Sequence, residues 1–173
     1  MTKSILVSSV LLFTANVLIA QDNIVTHKGD TIKGKVKEIT ETNIKFNYTG
    51  EDLTNSLSKN VVSEIIFENG RIQKITDKII ISSLEDWEKV QITNIESDVE
   101  GLTRYGEIMA KASSGWSTTN QGKMEAKAME KLKQDAAAKG CHVILLLTTT
   151  GKGGGYGLSG GTKASVTGVA YKY

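Results

Sequence analysis

Hydrophobic and polar residues alternate along much of residues 22–76, in short runs separated by turn-forming residues. Apolar side chains at every second position are typical of a strand with one buried face. Asn69-Gly70, between two apolar runs, is a strong signal for a hairpin. The pattern predicts short strands at Asn23–His27, Thr31–Ile39, Ile44–Tyr48, Leu53–Ser58, Val61–Phe67 and Ile72–Ile75. We expect these strands to form a small barrel or a curled meander, because closure protects the strand edges.

The pattern is interrupted at Asp77–Glu88, where polar pairs surround Ile79-Ile80-Ile81. We interpret residues 77–88 as a linker. It divides the chain after the export segment into a small β domain at 21–76 and a second domain at 89–173. Both segments are short for independent domains, so we expect them to pack together.

A helix is predicted in the second domain, from about Thr119 to Lys139. Its apolar residues recur every fourth position and would form one buried face, at Met124, Ala128, Leu132 and Ala136. Thr118 with Gln121 three residues later is a candidate capping box, and Gly140 suits the end of the helix.

The other elements of the second domain are predicted strands. They cover Val90–Ile92, Val99–Ala112, Cys141–Thr149 and Lys163–Tyr173. Gly101 and Gly106 are predicted bulges or close-packing points. Cys141–Thr149 is continuously apolar or β-branched, which predicts burial on both faces. The order β-β-α-β-β predicts an α+β fold, with one sheet and one helix packed across it.

The first twenty residues differ in character from the rest. A short start containing Lys3 precedes the uncharged, mostly apolar stretch Ile5–Ile19, and Ala20 closes it before polar residues. This is the pattern of a secretory signal peptide, cleaved after Ala20. A retained membrane anchor is the alternative, but the run is short and contains several polar residues, whereas a span needs about 20 predominantly apolar residues. We therefore expect an exported protein, periplasmic or extracellular, with no stable membrane anchor after cleavage.

Composition narrows the classes of partner and chemistry. The chain has 173 residues, no proline, one cysteine and a net charge of +2. That charge is too small to predict nucleic acid as a partner. A single cysteine excludes an internal disulfide and a thiolate metal site built from this residue type alone.

Candidate chemical motifs are few. Gly155–Gly160 matches G-x-G-x-x-G within the run Gly151–Gly161, but a strand pattern follows it, whereas a dinucleotide site needs a helix there. We interpret the run as a hairpin loop. His27 and His142 are the only histidines, and Cys141 and His142 would point to opposite faces of a strand. The letters Gly-x-Ser-x-Gly occur within the glycine run, at Gly157–Gly161, but a strand pattern follows them, so we predict no nucleophile elbow. We predict no catalytic, cofactor-binding or metal-ligating residues.

Two stretches resemble known families. Asp30–Ile39, with the phrase G-D-x-I-x-G-K-V, and Val62–Arg71 resemble the small β domain at the start of many exported proteins of Bacteroidetes-type bacteria. Val99–Ile108, Lys131–Ile144 and Thr167–Lys172 resemble the YbjQ-type domain family, whose fold is similar to that of RcsF-like proteins. The YbjQ-type resemblance implies strands packed by a helix and a glycine-containing hairpin. The family carries a heavy-metal-binding label and its members can form rings, but this chain lacks a cysteine pair and a histidine cluster.

These observations favour a non-enzymatic exported module that binds a protein or another envelope component. A metal-binding or small-ligand-binding protein is the first alternative, and an enzyme of unknown type is the second. A homo-oligomer is also left open.

We expect protein recovered from the host's envelope fraction to begin at Gln21, because the signal peptidase would cut after Ala20. Mass measurement of the intact chain tests this directly. A chain that retains Met1 would show that residues 1–20 act as an anchor.

Overall fold

Two β-sheets and one α-helix make up the fold in the computed structural model, which describes residues 21–115, 120–152 and 161–173. The predicted α+β class is confirmed. The proposed signal peptide lies outside the described residues. Within them, no helix is both long enough and apolar enough to cross a membrane.

The first sheet has six antiparallel strands. They are β1 (Asp22–Thr26), β2 (Thr31–Ile39), β3 (Asn43–Tyr48), β4 (Thr54–Ser58), β5 (Val62–Ile66) and β6 (Ile72–Lys74). All six were predicted, and their ends differ from the prediction by at most one residue. The spatial order is β4-β3-β2-β1-β5-β6, so β5 pairs with β1 and the sheet departs from a simple meander.

A short connection forces this sheet to curl. Only one 3₁₀ turn, Lys59–Val61, separates β4 from β5. In a flat sheet the two strands would be about 19 Å apart, four strand spacings. The chain from Ser58 to Val62 can span only about 14 Å. The sheet therefore bends around an apolar core of its own, formed by Ile24, Ile44, Phe46, Val62 and Ile65.

The second sheet has four strands and carries the helix. Its strands are β7 (Gln91–Thr93), β8 (Thr103–Ser113), β9 (Val143–Lys152) and β10 (Lys163–Lys172), in the order β7-β9-β10-β8. β7 runs parallel to β9, and the other pairs are antiparallel. β9 and β10 pair as far as Lys152 and Lys163, so the glycine-rich run joins the two strands of a hairpin. Its G-x-G-x-x-G motif lies outside the described residues.

The predicted helix forms α1 (Gln121–Ala138), and its predicted apolar face is buried. Met124, Ala128, Leu132 and Ala136 pack against side chains from the sheet, including Ile108, Ile144 and Val166. The side chain of Asn120 caps the start by accepting a hydrogen bond from the Gly122 N–H at 2.8 Å. Thr118 of the predicted capping box lies outside the described residues.

Gly140 ends the helix as predicted, with a φ of 65°. The N–H of Gly140 donates to the Ala137 carbonyl, and the N–H of Cys141 donates to the Ala136 carbonyl. These two bonds form a Schellman motif, which requires a left-handed residue at this position.

The predicted strand Val99–Ala112 begins later than expected. Glu96–Val99 forms a 3₁₀ turn instead, and β8 starts at Thr103. The cause is Gly101, which adopts a φ of 79° and packs against the end of β4, where an added Cβ would lie 3.1 Å from the Ser58 Cβ. The bulge predicted at Gly106 is confirmed, since the β8–β10 register shifts directly beside it.

The prediction that Cys141–Thr149 is buried on both faces is wrong for its second half. Val143, Ile144 and Leu145 are buried, but Leu147 is 51% exposed and the strand remains exposed beyond it. The first part of the strand is covered on both faces. Ile144 packs in the core beneath α1, and Val143 and Leu145 pack against Val99 on the other face. The cluster around Val99 is small, so it buries only the start of β9 on that face.

The predicted linker is packed against the second sheet and its helix. Ile79 and Ile81 are partly buried against the apolar clusters of this half. Leu84–Lys89 forms a 3₁₀ turn, capped by Ser83 and Asp86. Trp87 of this turn contacts the same core as α1.

Leu132→Ala tests the core beneath α1. Leu132 is fully buried, so the change should lower the free energy of unfolding by about 2–5 kcal/mol. The exposed Lys127 lies on the same helix, and Lys127→Ala should change it by less than about 0.5 kcal/mol. Urea unfolding measures both. Equal effects would contradict the orientation of the helix.

Candidate functional site

The two histidines lie where the two sheets contact each other, and both contact the same tyrosine. Tyr173, which directly follows β10, lies with its ring centroid 4.6 Å from that of His27 and 4.7 Å from that of His142. We call these three residues the histidine–tyrosine contact. His27 follows β1 of the first sheet, and His142 precedes β9 of the second. One aromatic ring therefore joins both sheets.

His27 is fixed by the backbone and by Thr76. Its side chain Nε2 lies 2.7 Å from the Thr76 hydroxyl, which donates its proton to the Val62 carbonyl at 2.6 Å. The hydroxyl must therefore accept from His27, which places the proton of the neutral imidazole on Nε2. His27 Nδ1 is then an acceptor, and it is buried without a partner among the described residues.

His142 is held at the start of β9 by its backbone. Its N–H donates to the Tyr171 carbonyl at 2.8 Å, and its carbonyl accepts from the Gln91 N–H at 3.0 Å. Its Nδ1 is also buried without a partner in the described part of the chain. Cys141 is fully buried in the core beneath α1, so the prediction that Cys141 and His142 face opposite ways is confirmed. Burial raises the pKa of the Cys141 thiol, which disfavours the nucleophilic thiolate.

Burial and nearby lysines favour the neutral form of both imidazoles. Desolvation is the main cause that lowers the pKa of His27 and of His142, and the positive charge of Lys78 lowers both further. Lys78 is held in place because its ammonium donates to the His27 carbonyl at 2.6 Å. Asp77 opposes the shift at His27, whereas Lys172 adds to it at His142.

Further polar contacts hold the sheets together around these rings. The Tyr173 hydroxyl accepts a hydrogen bond from the Ile79 N–H at 3.2 Å. The Asn60 side chain, in the turn after β4, donates to the Ser97 carbonyl at 2.7 Å. Among the described residues no group of three or more histidine, cysteine, aspartate or glutamate side chains could hold a metal ion. The histidine–tyrosine contact therefore links the two sheets to each other.

A cavity of about 920 Å³ lies elsewhere, between β7, the turn Leu84–Lys89 and α1. We call it the β7 groove. Three partly buried apolar side chains line it, Trp87, Ile92 and Met129. Five charged residues also line it: Glu88, Lys89, Asp98, Glu130 and Lys133.

The lysines of the β7 groove are already engaged. Lys89 forms an ion pair with Asp86 at 2.6 Å, and the Lys133 ammonium donates to the Glu88 carbonyl at 2.9 Å. Three carboxylates and two ammonium groups line the groove, which leaves an excess of one negative charge around the apolar floor.

One edge of β7 opens into this groove. The Gln91 N–H donates to the His142 carbonyl, so it points toward β9. Backbone groups alternate sides along a strand, so the N–H and carbonyl of Ile92 point away from β9. They offer one donor and one acceptor to an extended segment placed beside β7.

A second cavity of about 590 Å³ is lined by lysines. Lys111, Lys131, Lys152 and Lys163 contribute to it, together with small residues such as Ala112 and Ala164. No acidic residue is among the described residues that line it. Four positive charges around one opening could attract a small anion.

Sequence reasoning did not identify the histidine–tyrosine contact or the β7 groove. The members of the contact are distant in the chain, and their strand patterns carry no signal that the two sheets meet at Tyr173. The groove depends on where the turn Leu84–Lys89 packs, in a segment predicted to be a linker.

No protein-family model matches the chain, and comparisons with curated proteins and with solved structures gave no match either.

Lowering the pH should destabilise the fold through the two histidines. Their pKa values are lower in the folded state than the ordinary 6.5, so the unfolded chain binds protons first as the pH falls. Their contribution is complete above about pH 6.5 and decreases below it, by at most about 1.4 kcal/mol per pH unit for each histidine.

Urea unfolding at pH 7.5 and pH 5.5 measures this loss. The double variant His27→Gln/His142→Gln should lose less stability between these two pH values than the unmodified protein, whatever its stability at pH 7.5. An identical pH dependence in both proteins would show that the histidines do not titrate on unfolding.

Proposed function

We propose that the chain is an exported, non-enzymatic binding module that takes an extended segment of a partner protein into the β7 groove. The observation that carries this proposal is the combination of a free strand edge, an apolar floor and an excess of one negative charge in one cavity of about 920 Å³. Export rests on the sequence pattern of residues 1–20, with cleavage after Ala20.

The groove has the features of strand addition. In this mode of recognition, backbone hydrogen bonds supply affinity and side-chain pockets supply specificity. Ile92 offers the backbone groups, while Trp87 and Met129 offer an apolar surface. The charge of the groove favours a segment that alternates apolar and basic residues.

The finer arrangement of the chain belongs to the same proposal. We propose that residues 21–76 and 89–173 are two domains held together by the histidine–tyrosine contact. The second segment resembles YbjQ-type domains, a family with a heavy-metal-binding label, which is a binding role and not a catalytic one.

Small-ligand binding is the alternative, and the lysine-lined cavity is the observation that favours it. Its four lysines suit a small anion, such as inorganic phosphate. A metal ion is less well supported, since Tyr173 lies between the two histidines.

Titration with two synthetic peptides tests the groove. One peptide of nine residues alternates valine and lysine, and the other alternates valine and glutamate. Followed by amide chemical shifts, the lysine peptide should perturb Gln91–Thr93 and the 126–133 stretch of α1. It should bind at least about tenfold more tightly than the glutamate peptide, since the groove has an excess of negative charge.

A matched pair of helix variants serves as the control. Ala126 and Ala138 are both exposed on α1, but only Ala126 lines the groove. Ala126→Arg should abolish binding of the lysine peptide, and Ala138→Arg should leave it unchanged. Shifts confined to the lysine-lined cavity on adding phosphate, with none for either peptide, would replace this proposal by the small-ligand alternative.

A further inference from the structure

β8 forms one edge of the second sheet in the described part of the chain. We propose that two copies of this chain associate through their β8 strands, antiparallel and around a two-fold axis at Met109. The two four-stranded sheets would then join into one sheet of eight strands. The partner is a second copy, and this inference does not depend on the β7 groove, which lies at the other edge of the sheet.

β8 is a long edge strand. It covers 11 residues, Thr103–Ser113, and within the described residues it pairs only with β10. An unpaired edge of this length is a ready template for another strand, and proteins commonly shorten, bend or cover such edges. Here the bulge beside Gly106 bends one end, and the stretch from Glu107 to Ser113 continues in regular register.

The hydrogen bonds show which backbone groups face the free edge. The Ser114 N–H donates to the Thr162 carbonyl. In the regular register before it, the backbone N–H and carbonyl groups of even-numbered residues therefore point toward β10. The Lys111 carbonyl accepts instead from the Lys131 ammonium at 3.3 Å. Since backbone directions alternate along a strand, Glu107, Met109 and Lys111 direct their N–H and carbonyl groups outward.

Charge selects the register of the pair. With the axis at Met109, Glu107 of each copy lies directly opposite Lys111 of the other, so two opposite-charge pairs form. An axis at Glu107 or at Lys111 would instead place like charges opposite each other, which destabilises a strand pair. The three outward-facing residues are therefore self-complementary in one register.

Both faces of the joined sheet suit this register. On the face away from the helix, Met109 is 54% exposed and would meet its own copy. On the helix side, the buried Ile108 would lie opposite the small Ala110 of the other copy, which avoids crowding. Among the described residues, pairing displaces the Lys131 ammonium from the Lys111 carbonyl. That bond is exposed and contributes little.

Cross-linking tests the register. In an antiparallel hydrogen-bonded pair the Cα atoms are about 5.5 Å apart, within the range of a disulfide. Met109→Cys should therefore form a disulfide-linked dimer under mild oxidation. Thr148→Cys, on an exposed part of β9, should not. Cys141 is buried and should not interfere.

Charge reversal tests the mechanism by sedimentation equilibrium. The unmodified protein should show a concentration-dependent dimer. Glu107→Lys or Lys111→Glu should weaken the dimer about tenfold or more, because each introduces two like-charge pairs. The combination of both changes should restore it, whereas Glu51→Lys, in an exposed turn, should have no effect. A protein that stays monomeric at all concentrations, or a dimer that ignores both reversals, would overturn the proposal.

Discussion

The position of Tyr173 between two histidines is the constraint on which the arrangement of the two sheets depends. The first sheet curls around its own core and the second is covered by α1, so neither core extends continuously into the other. The sheets meet through a few specific contacts instead. Tyr173 contacts a ring from each sheet, and its hydroxyl also binds the backbone at Ile79. Because this setting favours the neutral form of the imidazoles, the contact is sensitive to acid.

The two edges of the second sheet differ, and each suits one of the two proposed kinds of recognition. β7 has three residues and opens into a cavity with an apolar floor, which suits a short extended segment. β8 has eleven residues, and within the described residues its edge away from β10 is unpaired, which suits a partner strand of the same kind. Strand addition at one edge leaves the other free. A dimer formed through β8 would therefore present two β7 grooves.

Much of the fold could be predicted because its elements follow local patterns. Alternating residues defined the strands of the first sheet, and the four-residue spacing of Met124, Ala128, Leu132 and Ala136 defined the buried face of α1. Errors arose where distant contacts decide the outcome. The chain turns at Gly101 because this residue packs against the end of β4. Beyond Leu145, the cluster around Val99 no longer covers β9. The histidine–tyrosine contact could not be predicted, since it depends on how two separately formed sheets meet.

Calorimetry of Tyr173→Ala tests the role of this contact most directly. The unmodified protein should unfold in a single cooperative transition, because the two sheets are held together. Without the ring the sheets should uncouple, so the variant should show two transitions, at least one of them at a lower temperature. Tyr48→Ala, which removes an exposed aromatic ring from β3, should keep one transition. A single transition at the original temperature in Tyr173→Ala would contradict the account.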